Sequence, residues 1–180
     1  VTIPEVCLHL AGGTLEDYLH LRQSFGRRMR WHEATQDGWL RAGLPEAVAA
    51  QLAQVADGRR AKDEIERCRR LGIRLLAWRQ SAYPMCLKTL HQPPLIVSVL
   101  GRWPVPEAAL AVVGSRASTP YGRQVATRFA GAAARAGMAI VSGLARGIDR
   151  FALEAALDVG GWPIAVLGCG VDVAYPPEHR

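Results

Sequence analysis

Lysine is nearly missing from this 180-residue chain: of 22 basic residues only Lys62 and Lys88 are lysine, which leaves 20 arginines. Paired cysteines are missing as well. Cys7, Cys68, Cys86 and Cys169 form no CxxC pair, and no histidine stands at metal-ligand spacing from any of them. That excludes a zinc ribbon and a disulfide framework, so the expected metal and cofactor content is none and the expected compartment is a reducing cytoplasm. No apolar run approaches the ~18 residues of a membrane-spanning helix, so no membrane segment is expected. The N-terminus VTIPEVCLHLAGGT has no basic stretch leading into an apolar one and does not read as a secretory signal. The chain opens on Val1, which is read as a trimmed or omitted beginning.

What is there is a folding composition, 49% hydrophobic and 21% charged, with a formal net charge of +6. Disordered and acidic-tail classes are thereby excluded. The length allows one ordinary domain with a small one beside it. The arginine excess has two readings that composition leaves open: an Arg-codon-rich genome, or a polyanionic partner whose phosphates guanidinium forks would hold bidentately.

The pattern divides the chain into a helical domain (1–72), a connector with short strands (73–108) and an α/β domain (109–180). In the first part, Thr14 caps a helix with Leu15, Tyr18, Leu19 and Phe25 inward and Gly26 as its stop. Pro45 opens a second helix with Val48, Leu52, Val55 and Ala56 on one face. A third covers Lys62 to Leu71, with Ile65, Cys68 and Leu71 inward and Gly72 just past its end. Its basic residues alternate with Asp63, Glu64 and Glu66, as on a solvated helix face. In the connector, Ile73–Trp78 and Ile96–Leu100 read as strands.

From residue 109 onward, apolar runs (Ala109–Val113, Met138–Val141, Pro163–Leu167) alternate with helices over Tyr121–Ala136 and Ile148–Val159. The first of these helices places Val125, Phe129, Ala132, Ala133 and Ala136 on one face. Strands that are apolar throughout predict a parallel sheet covered on both faces, a three-layer αβα fold of Rossmann-like kind. Right-handed crossovers bring all three strand exits to one sheet edge, where open α/β sheets bind ligands.

Each exit is glycine-rich. Gly114-Ser115-Arg116 opens the first, Ser142-Gly143-Leu144-Ala145-Arg146-Gly147-Ile148-Asp149 forms the second, and Gly168-Cys169-Gly170 the third. Glycine admits a ligand to the backbone, a following helix N-terminus favours an anion, and Ser115, Arg116 and Arg146 add a hydroxyl and two charges. The three together predict an anion pocket. Asp149 reads as a helix N-cap or as a salt-bridge partner for Arg116 or Arg146, and Cys169 as a small packed residue. Tyr121 and Tyr175 read as core residues or as base-stacking faces. No carboxylate pair, Ser-His-Asp order or metal cluster accompanies the pocket, so it reads as a binder and not an enzyme.

AVVGSRASTPYG, VSGLARGID and AVLGCGVDVAYPPEHR together resemble the DNA-processing protein A (DprA/Smf) family. Tyr83-Pro84-x-x-Leu87 and Gln92-Pro93-Pro94 extend the likeness through the connector, so that it covers roughly residues 72–180. The N-terminal helices resemble the small sterile-alpha-motif-like or helix-hairpin-helix-like module of many members. The resemblance implies a cytoplasmic protein that binds single-stranded DNA, protects it and loads the RecA recombinase in natural transformation, as a homodimer. It implies that Gly114, Ser115 and Arg116 line the DNA pocket, that Ser142, Gly143, Arg146 and Gly147 form its second wall, and that Gly168, Cys169 and Gly170 form its floor. The chain departs from the family pattern at Leu153, where histidine is usual, at Gln80-Ser81 and Gln92, where Asp-Pro and Asp are common, and at Leu100, where a basic residue is frequent. The family's sheet continues beyond residue 180, so a truncated chain is expected.

A phosphoribohydrolase-like enzyme on the same scaffold is the competing expectation, but its P-G-G-x-G-T-x-x-E segment is absent here. A dinucleotide-dependent oxidoreductase is disfavoured because only Gly114 falls in register with G-x-G-x-x-G. A duplex-binding glycine hairpin in the helical domain would have to use Gly12-Gly13 or Gly43, and both are poorly placed.

Overall fold

The computed structural model describes residues 1–26 and 30–177; the last three residues of the AVLGCGVDVAYPPEHR motif lie outside them. The chain forms two compact units, Val1–Gly101 and Arg102–Arg180.

Among its described residues the first unit holds six α-helices and a hairpin. Thr2 and Glu5 form a capping box that starts α1 (Ile3–Leu10), and Thr14 with Asp17 does the same for α2 (Leu15–Phe25). A 3-10 turn at Arg30–Glu33 leads to α3 (Gln36–Arg41), capped by Thr35. Then come α4 (Glu46–Ala53) and α5 (Arg59–Arg70). Trp31, Tyr18, Leu8, Leu21 and Leu52 are buried at the centre of these helices. The Trp39 indole donates to the Trp31 carbonyl at 2.6 Å, satisfying one of the buried ring N–H groups.

Leu19 and Leu71 are exposed, against the inward positions expected for them. In α2 the buried row runs Leu15, Tyr18 and Leu21, which leaves Leu19 on the outer face. After α5 the chain turns at Gly72, and Ile73 donates to the Cys68 carbonyl at 2.8 Å, so Ile73 enters the core in place of Leu71. Gly12-Gly13 and Gly43 have the same duty. Each ends a helix through paired backbone bonds, Gly12 and Gly13 to His9 and Leu8, and Gly43 with Leu44 to Leu40 and Trp39. Their observed role is that of helix stops.

Strands β1 (Arg74–Ala77) and β2 (Ile96–Val99) pair antiparallel, with Arg74 opposite Val99 and Ala77 opposite Ile96. Between them the short α6 (Met85–Lys88) carries the Tyr-Pro segment. Buried Tyr83 donates its hydroxyl to the Pro94 carbonyl at 2.7 Å, so the Tyr-Pro and Pro-Pro segments hold each other. Ala77, Leu95 and Ile96 belong to the same core as the helices.

In the second unit β3 (Ala109–Ala111), β4 (Ala139–Ser142) and β5 (Trp162–Ala165) form a parallel sheet in the order β3-β4-β5. Helix α7 (Pro120–Arg135) joins the first two strands and α8 (Ile148–Asp158) the next two. Helices α7 and α8 lie together on one face, as right-handed crossovers in the same direction require. There they pack on each other through small side chains: Ala126, Ala130 and Ala134 on α7, Ala152, Ala155 and Ala156 on α8. This is the Rossmann-like α/β arrangement, and the described residues supply two of its layers. The small-residue seam explains why Phe129, expected inside, is 66% exposed. Helices approaching this closely leave no room for a phenyl ring, so the buried ridge of α7 is the row Ala126, Ala130 and Ala134, and Phe129 faces away.

Candidate nucleic-acid interface

The first two strand exits are joined by backbone and by one buried carboxylate. Gly147 sits at φ +80°, and a Cβ placed on it would lie 2.2 Å from the Ser115 carbonyl oxygen and 2.7 Å from that of Arg116. Only glycine permits that approach. Ile148 N–H then donates to the Ser115 carbonyl at 3.2 Å. Asp149, 6% exposed, accepts from Gly114 N–H at 3.2 Å and from Gly143 N–H at 3.0 Å, one on each carboxylate oxygen. Its two expected roles are therefore corrected. It is the second residue of α8, Gly147 holds the N-cap position, and its oxygens face backbone amides.

These bonds change what the pocket offers. The amides of Gly114 and Gly143 are occupied by Asp149 and are not free donors for an anion. Ser142 is buried, with its hydroxyl donated to the Val112 carbonyl at 2.6 Å, so it braces β3 against β4 instead of facing a ligand. Ser115 stays exposed, and its oxygen accepts from Ala117 N–H at 3.2 Å, which leaves its own proton to donate. Leu144 adopts φ +56°, the one positive value at a non-glycine among the described residues, and its side chain packs on the unit's core. The second exit is thus held in a costly conformation by packing.

Above this brace lies a cleft of about 260 Å³ lined by Arg116, Ser118, Arg123, Arg146, Gly147, Arg150 and Phe151. Arg116 and Arg146 come from the loops, Arg123 and Arg150 from the first turns of α7 and α8. Thr119 caps α7 by accepting from Gly122 N–H at 3.1 Å, and α8 begins at Gly147 without a side-chain cap. Arg123 donates its Nε to the Ser118 carbonyl at 3.3 Å, and Arg150 donates Nε to Glu154 at 2.7 Å. Four guanidiniums and one helix N-terminus on a single cleft make a site suited to a polyanion.

Arg116, Arg146 and Gly147 thus meet as expected, while Gly114, Gly143, Ser142 and Asp149 form the frame beneath them. The third exit does not join them. Gly168, Cys169 and Gly170 are exposed beyond β5 and are not among the cleft's lining, so they form no floor for it. Cys169 is not packed; its thiol lies 3.9 Å from the Val173 carbonyl. Tyr121 is 76% exposed and Tyr175 is also exposed, so neither is a core residue, and neither lines the cleft. Arg123, Arg150, Ser118 and Phe151 were missed in the sequence. The signal for the two arginines was their place in the first turn after each glycine-rich exit.

Residues 74–180, more than half of the chain, match the model of the family described as DNA recombination-mediator protein A. A putative DNA processing protein DprA from Mycobacterium tuberculosis is 37% identical over 150 residues, covering 73% of this chain and 39% of that protein. Protein Smf from Synechocystis is 39% identical over 103 residues, covering 54% of this chain and 26% of that protein. The chain therefore spans well under half the length of these curated relatives. The crystal structure of DNA processing protein A from Streptococcus pneumoniae superposes with a TM-score of 0.76 at 27% identity, covering all of this chain and 62% of that one. A structure of DNA processing protein A from Helicobacter pylori, described by its single-stranded DNA binding mode, superposes with a TM-score of 0.51 at 30% identity, covering 59% of this chain and 47% of that one. With the motifs in series, the parallel sheet and more than half of the chain matched, this protein belongs to the DNA recombination-mediator protein A family.

Proposed function

We propose that this chain holds single-stranded DNA by its phosphates in the arginine cleft, as part of a cytoplasmic recombination mediator. The observation that carries the reading is the cleft itself: four arginines from two loops and two helix starts, on loops braced so that they need no reordering on binding. The description of the Helicobacter relative supports single-stranded DNA as the ligand, and the family's name supports recombination as its setting. Protection of incoming DNA, delivery to RecA in natural transformation and action as a homodimer complete the proposal. They are tested by nuclease protection, by RecA filament growth on coated DNA and by sedimentation. The cleft binds without cleaving, so the oligonucleotide is recovered intact after incubation.

Binding of this kind is strongly salt-dependent, with log affinity falling by about 0.7 per neutralised phosphate on single strands for each tenfold rise in salt. Arg116→Ala is expected to weaken binding of a labelled oligothymidylate at least tenfold at low salt and to flatten the salt dependence by about that one increment. Affinity unchanged in a low-salt anisotropy titration would remove the assignment.

Glu154 acts in the opposite sense, since it occupies Arg150. Glu154→Gln frees that guanidinium and is expected to tighten binding about two- to threefold, in line with the modest strength of an exposed pair. Weaker binding by this variant would mean that Glu154 positions Arg150 for the ligand.

A further inference from the structure

Helix α7 carries two apolar rows, and the structure uses one of them. Ala126, Ala130 and Ala134 pack against α8. Tyr121, Val125, Phe129, Ala132 and Ala136 recur at three- and four-residue spacing on the outer side of the same helix. Tyr121, Phe129, Ala132 and Ala136 are exposed, and Val125 is half-buried. At 1.5 Å per residue this second row runs about 22 Å, four turns of helix. A contiguous apolar strip of that length on a surface marks an interaction site.

The charge beside the strip is of one sign. Arg128 and Arg135, seven residues and two turns apart, line one flank of it, and both are exposed. Among the described residues neither pairs with a carboxylate. Helix α7 contains no acidic residue, and none lies anywhere between Glu107 and Asp149. No residue of the strip or its flank lines the arginine cleft.

We infer that the outer face of α7 is a docking surface for an acidic amphipathic helix of a partner protein. Apolar side chains of that helix cover the strip, and its carboxylates, two turns apart, meet Arg128 and Arg135. Charge decides the occupant. A second copy of this chain seated here would set arginine against arginine, with no carboxylate on either α7 to relieve them. A nucleic-acid strand would satisfy the arginines but lay sugar and phosphate on Val125, Ala132 and Ala136, which have no ring to stack on a base. An acidic partner helix satisfies both the strip and its flank.

The test titrates the intact protein with a labelled synthetic helix that carries leucines at three- and four-residue spacing and glutamates seven residues apart beside them. The control is the same peptide with lysine at the glutamate positions. Wild type is expected to bind the glutamate peptide about tenfold or more tightly than the lysine peptide. Phe129→Ser is expected to weaken that binding about tenfold while leaving oligothymidylate affinity unchanged. Arg128→Glu combined with Arg135→Glu is expected to reverse the preference in favour of the lysine peptide, which a misfolded variant could not do. Wild type that binds both peptides alike, or neither, would overturn the inference. So would weaker oligothymidylate binding by Phe129→Ser, which would give the face to nucleic acid. Self-association of wild type in sedimentation that Phe129→Ser abolishes would give it to a second copy and overturn the inference equally.

Discussion

Gly147→Ala is expected to weaken single-stranded DNA binding by more than about tenfold and to destabilise the second unit by about 2–4 kcal/mol. Two costs add. Alanine at φ +80° is strained by its own Cβ. That Cβ would also lie 2.2 Å and 2.7 Å from two carbonyl oxygens of the first exit, so the exits must separate. Separation breaks the Ile148–Ser115 bond and moves Arg116 away from Arg146. Gly137→Ala isolates the first cost, since Gly137 has φ +86° but open space around its missing side chain. That variant should lose about 1 kcal/mol and bind DNA as wild type does. Hydrogen exchange of the β4 amides reads stability, and anisotropy reads binding. If Gly147→Ala and Gly137→Ala behave alike in both, the close approach of the two exits does not organise the cleft.

Arg79→Ala is expected to destabilise the first unit by about 2–3 kcal/mol at neutral pH, a fall of roughly 10–20 °C in melting temperature. Glu5 is 1% exposed and accepts from Arg79 Nε at 2.5 Å, from Thr2 N–H at 2.7 Å and from the Thr2 hydroxyl at 2.9 Å. Removing Arg79 leaves a buried carboxylate with only the Thr2 donors. The figure lies below that of a fully buried pair because the Arg79 side chain is 43% exposed and partly screened.

The effect depends on pH in a definite direction. Burial alone would raise the Glu5 pKa, but the Arg79 and Thr2 hydrogen bonds outweigh it and hold it below the ordinary value of 4.5. A depressed carboxylate contributes its full stabilisation above its unfolded pKa and loses it as pH falls through the folded value. The gap between wild type and Arg79→Ala should therefore be widest near neutrality and close below about pH 4.5. A gap that stays constant from pH 7 to pH 3 would show that Arg79 acts through its aliphatic stem instead of its charge.

The helix stops of the first unit were readable because they depend on neighbours in sequence. Thr14 and Gly72 do their work within one turn, and so does the capping box at Thr2 and Glu5, a signal present but unused in the expectation. The inward faces were less secure. Phe129 and Leu71 are hydrophobic and in plausible register, yet both are exposed. Their fate is set by how closely α8 approaches α7 and by which residue the chain turns inward after α5. Periodicity carries neither quantity.

The site divides in the same way. Strand exits, their glycines and Arg116 with Arg146 followed from the order of apolar runs, because parallel strands with right-handed crossovers must end on one edge. Which groups would meet a ligand did not follow. Asp149 and Ser142 look like ligand contacts in one dimension, but in three they satisfy backbone groups of a neighbouring strand exit that is distant in sequence. Arg123, Arg150 and Phe151 look like ordinary helix positions, and the cleft brings them together. The sequence by itself determined the α/β class, the family and the edge at which the cleft lies, since each depends on local pattern and chain handedness. Only the tertiary structure decided which polar groups are spent inside and which remain to bind, because a hydrogen bond between loops some thirty residues apart leaves no periodic trace.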